Sequence, residues 1–105
     1  MPANLVYTDE AKDDVAAAYA FLEGKRTGLG DEFLARVNRA VTPVLANPLI
    51  HQIVHGSYRK AVVRQFTYVV IYAYEDAADV VTVAAVHHTS MHPSRWMSRL
   101  PPDAP

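Results

Sequence analysis

The sequence predicts an α+β protein: an N-terminal strand and a two-helix hairpin packed on an antiparallel sheet of three to four strands. Two apolar stripes at helical spacing occupy the first half of the chain, ending at Asn47-Pro48. After Gly56 the pattern changes to β-branched and aromatic runs separated by turn-forming residues.

Each element follows in chain order. Asn4-Leu5-Val6-Tyr7 is short and β-prone, and it stops at Thr8-Asp9-Glu10, where the threonine can cap a helix and the acids suit its positive end. Ala11, Val15, Ala18, Tyr19 and Leu22 then recur at spacings of three and four, predicting a helix over 9–24. Gly24 and the Lys25–Gly30 stretch break it. Phe33, Leu34, Val37, Val41, Val44 and Leu45 make the second stripe, over 30–46, within which Pro43 is expected to kink or interrupt the helix. Three strands are expected at 58–64, 66–74 and 80–86, with Leu5–Tyr7 as a further strand at the edge or within the sheet. The expected core contains Val15, Tyr19, Leu22, Phe33, Val37, Val41, Leu45, Val70, Tyr72, Val83 and Ala85. A helical turn around Trp96 closes the fold, so that 1–100 form one domain and 101–105 a flexible, proline-rich tail.

Composition narrows the class. With 105 residues, half of them hydrophobic, the chain suits one globular domain. No apolar run approaches the roughly 20 residues of a membrane helix, the N-terminus lacks a signal-peptide pattern, and there is no cysteine; a cytoplasmic protein is expected. Residues 1–50 carry five Lys or Arg against seven Asp or Glu, residues 51–105 five against four, and all five histidines lie in the second part. This is a weak footprint beside the strong positive balance usual in nucleic-acid binders.

Specific residues now fall into an order. Asp9-Glu10-Ala11 opens a helix, Gly28-Leu29-Gly30 with Phe33 opens the next, and Asn47-Pro48 ends it. Tyr58-Arg59, Phe66 to Tyr72, Val83 to His88, Pro93, Trp96 and Arg99 follow. Jointly, over roughly residues 5–99, the set resembles the RelE/ParE toxins of type II toxin–antitoxin systems. The resemblance implies growth inhibition, plasmid stabilisation, a cognate antitoxin as partner, and DNA gyrase or the ribosome as target, with monomer and homodimer both open. Thr67 stands where members often have proline. More consequentially, Thr89-Ser90-Met91-His92 stands where an arginine-rich cluster is common, and members that cut messenger RNA on the ribosome depend on such basic residues. The ParE-like branch, which inhibits gyrase without catalytic residues, is therefore favoured over a RelE-like endoribonuclease and over a scaffold that has lost its toxicity.

Candidate residues divide by role. For a nuclease, His88 and His92 could move protons and Arg64 could face the crowded phosphate, since in-line cleavage needs a base, an acid and a cation. His87 and His88 point to opposite faces of a strand, so at most one is expected in any site. For target or antitoxin binding the candidates are Arg59, Lys60, Arg64, Arg95, Trp96 and Arg99. Lys60 and Arg64 share a strand face about 13 Å apart, opposite Arg59. The competing readings are a solvated strand face for these cations and a tail-packing role for Trp96. The histidine spacing, with no acidic companion, predicts no metal site, and no cofactor is expected.

Overall fold

A computed structural model describes residues 2–100; the expected tail at 101–105 lies outside the described residues. Strand β1 (Asn4–Tyr7) leads into helix α1 (Asp9–Lys25), whose N-cap is Thr8: its hydroxyl accepts the Ala11 amide at 3.1 Å. Helix α2 (Leu29–Ala46) folds back beside α1. Gly28 makes the connection at φ 90°, a left-handed conformation costly for residues with a Cβ. Lacking a side chain, Gly28 cannot cap α2, and Glu23 of α1 does so instead. Its carboxylate accepts the amides of Gly28 at 3.0 Å and Gly30 at 2.9 Å. A Cβ on Gly30 would stand 2.8 Å from the Tyr19 ring, so glycine there lets the helices close.

Helix α2 continues through Pro43 to Ala46, which corrects the expected interruption. Proline forfeits one amide bond near the helix end, while Val41 and Val44 on either side are buried in the core and hold the turn.

Among the described residues the sheet has five strands, in the order β1-β5-β4-β3-β2, with β2 (Ile53–His55), β3 (Tyr58–Val63), β4 (Tyr68–Glu75) and β5 (Val80–His88). One strand more than expected is present, because the three-residue β2 joins β3. The pairs β2–β3, β3–β4 and β4–β5 are antiparallel, whereas β1 lies at the edge and runs parallel to β5, Asn4 opposite Val80 and Tyr7 opposite Val83. Phe66, expected to begin the middle strand, belongs instead to the turn before it, where Gln65 takes φ 70°.

Both sheet faces are covered. Towards the helices lie Ala61, Val63, Tyr68, Val70, Tyr72, Val81, Val83 and Val86, packed on Ala18, Leu22, Phe33, Val37, Val41 and Val44. Phe33 is fully buried between the rings of Phe66 and Tyr68, both edge-on, with centroids 5.4 and 4.9 Å away. Val15, Tyr19 and Leu45 of the expected core are partly buried at its rim. The opposite face is smaller: Val69, Ile71 and Ala85 lie under Trp96 of the short helix α3 (Ser94–Met97), and Trp96 is 3 % exposed.

Candidate functional site

The site arises where β1 stops. Beyond the Tyr7–Val83 pair, β5 continues for five residues with no strand on its outer side among the described residues. A bulge falls there as well: Ile71 faces Ala85 and Tyr72 faces Val83, leaving Ala84 as the extra residue. Side chains take over from the missing strand. Asp14 of α1 accepts the Val86 amide at 3.0 Å, and Arg99 donates to the Ala84 carbonyl at 3.3 Å. Arg99 also grips Asp14 with both terminal nitrogens, at 2.7 and 2.9 Å, and this hydrogen-bonded carboxylate raises the guanidinium pKa further. The two side chains are 27 % and 17 % exposed. Arg99, expected as an exposed anchor, is thus the tie that fastens the segment after α3 to α1.

Next to this clasp a groove of about 540 Å³ opens between α1, the end of β5 and α3. Ala17, Phe21, Tyr68, Val86, Met91 and Trp96 supply apolar surface, and Lys25 and Arg95 supply charge. Phe21 is 57 % exposed, with the Lys25 ammonium 4.6 Å from its ring centroid.

The histidines have defined roles. His88 Nδ1 accepts the Ser90 amide at 3.0 Å, so a neutral ring carries its proton on Nε2, which lies 2.6 Å from Thr67 Oγ1. Both nitrogens are engaged, and the ring stands edge-on to Tyr68 at 5.3 Å. His92 Nδ1 accepts the Ser94 amide at 3.1 Å, at the start of α3. His87 donates from Nδ1 to the His88 carbonyl at 2.9 Å, Nε2 has no hydrogen-bond partner among the described residues, and burial pushes its pKa down. Although His87 and His88 point to opposite faces, both border the groove, because it wraps the strand's edge. This corrects the expectation that only one could join a site.

The other expected residues are dispersed. Arg59 donates to the carbonyls of Leu49 at 3.3 Å and His51 at 2.7 Å, while Tyr72 donates to that of Pro48 at 3.1 Å; together they hold the α2–β2 connection. Lys60 borders a smaller groove of about 250 Å³ on the α3 side, with Val69, Ile71, His87, Met91 and Trp96. Arg64 is exposed in the β3–β4 turn. His88, Arg95, Trp96 and Arg99 therefore meet at the large groove, whereas Arg59, Lys60, Arg64 and His92 do not line it. Asp14, Phe21, Lys25 and Met91 were not singled out from sequence. Only Phe21 carried a signal, as an aromatic residue lying off the buried stripe of its helix.

Comparison with known proteins places this architecture. The family described as "ParE toxin of type II toxin-antitoxin system, parDE" matches residues 5–93. The chain belongs to the RelE/ParE toxin family. It is accordingly a toxin of a type II toxin–antitoxin system. Solved structures of RelE and ParE toxins share the fold. The Escherichia coli toxin RelE in the free state, carrying two arginine-to-alanine substitutions, aligns with a TM-score of 0.73 at 19 % identity, covering 96 % of this chain and 100 % of that one. The chromosomal ParDE system of Pseudomonas aeruginosa gives 0.70 at 12 % identity, covering 82 % and 95 %. The RelBE2 toxin–antitoxin complex of Mycobacterium tuberculosis gives 0.61 at 20 %, covering 84 % and 99 %. No curated protein sequence matches the chain significantly. Among the described residues no helix of this RelE/ParE toxin is long and apolar enough to cross a membrane.

Proposed function

We propose that this toxin acts in the ParE-like manner, binding DNA gyrase and inhibiting it through surface contacts, and that a cognate antitoxin neutralises it by occupying the groove beside β5. The observation that carries this reading is the state of His88. The residue best placed in sequence for proton transfer has one ring nitrogen on Ser90 and the other on Thr67, and neither Arg64 nor His92 lines the groove with it. A general base needs a free lone pair within reach of the proton it takes. The groove instead has the composition of a binding surface, an apolar floor with aromatic anchors and a rim of Lys25 and Arg95.

A second reading, a ribosome-dependent endoribonuclease, draws on His87, whose Nε2 has no partner among the described residues, and on Lys60, which borders the smaller groove with it. Side-by-side assays separate the two. Supercoiling by purified gyrase should be inhibited by the wild-type protein and equally by His88→Ala, once that variant shows a cooperative melt. Messenger RNA on translating ribosomes should stay intact. Cleaved message with supercoiling untouched would replace this reading by the second, since losing a general acid or base slows a reaction about 100- to 10,000-fold. Inhibition of neither would leave a silent scaffold.

A further inference from the structure

Charge is divided between the two edges of the sheet. Between Glu32 and Glu75 the chain has no acidic residue and five basic ones, Arg36, Arg39, Arg59, Lys60 and Arg64. That stretch builds α2 beyond its first turn, then β2, β3 and nearly all of β4, whereas α1, which carries five acids, packs on β5. None of the five cations forms an ion pair among the described residues, where the two pairs are Arg26–Glu32 and Arg99–Asp14. Within this acid-free sector the α2–β2 connection sets a ridge of large apolar side chains: Leu49 is 60 %, Ile50 54 % and Ile53 50 % exposed. Their backbone is held. Arg59 donates to the carbonyls on either side of Ile50, the Lys60 amide donates to that of Gln52 at 3.1 Å, and the Ile50 amide turns back to the Asn47 carbonyl at 3.1 Å. Ile53 stands opposite Arg59 in the β2–β3 ladder. Exposed apolar groups fixed in this way are pre-organised for contact, since little further ordering entropy is lost when a partner covers them.

We propose that this ridge is the surface by which the toxin grips its protein target, and that the target meets it with a patch both apolar and acidic; the inference rests on the gyrase reading above. Charge selects the occupant. A second copy of the chain would bring the same cations against one another across a two-fold axis, with no acid on either side of the contact to compensate. A phosphate backbone would satisfy the cations but leave the three aliphatic side chains unused, because phosphate contacts reward charge alone. A protein surface with carboxylates around an apolar centre satisfies both. Leu49, Ile50 and Ile53 are then the desolvated anchors, and Arg36, Lys60 and Arg64 the charged rim. The ridge lies at the β2 edge and lines no part of the groove beside β5, so target and antitoxin have separate seats.

The test uses the full chain, purified gyrase, and the small protein that co-purifies with the toxin when the adjacent reading frame is co-expressed. Ile50→Asp and Ile53→Asp each place a carboxylate where an acidic patch repels it, and should weaken gyrase binding and inhibition of supercoiling about tenfold or more. Both variants should melt cooperatively and bind the co-purified protein as the wild type does, because the substituted side chains are exposed and remote from the groove. Where an aspartate disturbs the fold, Ile50→Ser takes its place and should still lower gyrase affinity. Arg64→Glu, in the exposed β3–β4 turn, should lower it about threefold at low salt, with the difference closing as salt rises. Folded ridge variants that inhibit as well as the wild type overturn the proposal and keep the gyrase reading. A wild-type protein that neither binds nor inhibits gyrase overturns both. Free duplex DNA bound by the wild type, more weakly by Arg64→Glu and equally by Ile50→Ser, would assign the sector to phosphate and overturn the protein-gripping ridge.

Discussion

The two faces of the sheet are built differently. On one, two long helices bury a continuous layer from Ala11 to Val86 with Phe33 at its centre. On the other, four residues of α3 hold a patch whose buried members are Val69, Ile71, Ala85 and Trp96. The first face is held by helices that have their own caps and their own contact with each other. The second depends on one indole and, past the helix, on one ion pair between Arg99 and Asp14. A face so lightly held can open locally without global unfolding, and the candidate groove lies along its border.

Three measurements would break or sharpen this contrast. Phe33→Ala should have the largest effect, about 3 to 5 kcal/mol of global stability by denaturant titration, because the cavity is surrounded by elements that cannot collapse into it. Trp96→Ala removes a side chain of similar burial and should cost clearly less, since α3 can detach alone. Equal losses would show that both faces unfold as one unit.

Next comes Asp14→Asn. It strips the charge from the clasp while leaving an oxygen for the Val86 amide, and should cost about 1 kcal/mol globally, because the pair is partly exposed. Its stronger signature is local: Trp96 fluorescence should shift towards that of exposed indole before the main melting transition. A single coincident transition would contradict the picture of a separately opening face.

The smallest effect concerns the hairpin. The Gly28 and Gly30 amides hold the Glu23 carboxyl below its ordinary value of 4.5. A depressed folded pKa contributes stability that is complete above the ordinary value and is lost as pH falls through the lowered one. Stability of the wild type should therefore decline more steeply below pH 4.5 than that of Glu23→Gln, with the two curves parallel near neutrality. Parallel curves throughout would remove Glu23 as the cap of α2.

Much of the fold was legible from side-chain periodicity. The stripes through Leu22 and through Phe33, Val37 and Val41 place both helices, and alternation in Tyr68, Val70 and Tyr72 places the central strand. Strand β2 was hidden, since three residues, none of them buried, leave no alternation to read. The direction of β1 was hidden too, because four residues carry no information about which way their partner runs. At the site, Trp96 and Arg95 could be named but the surface they complete could not. Asp14 and Arg99 meet across 85 positions of sequence, and nothing in the local pattern of α1 marks Asp14 among its several acids. The ring partners of His88, Thr67 and Ser90, likewise became visible only once the strands were paired.

The parallel pairing of β1 with β5 joins the first strand of the chain to the last. During translation Asn4 leaves the ribosome long before Val80, its partner, has been made. The helical hairpin is complete by Ala46 and can form early from local contacts, whereas the sheet must wait for its final strand, and such non-local closure is slow. A nascent chain halted before Val80 would carry an unpaired β1 and no β5, so the groove beside β5 forms only after that strand has been made.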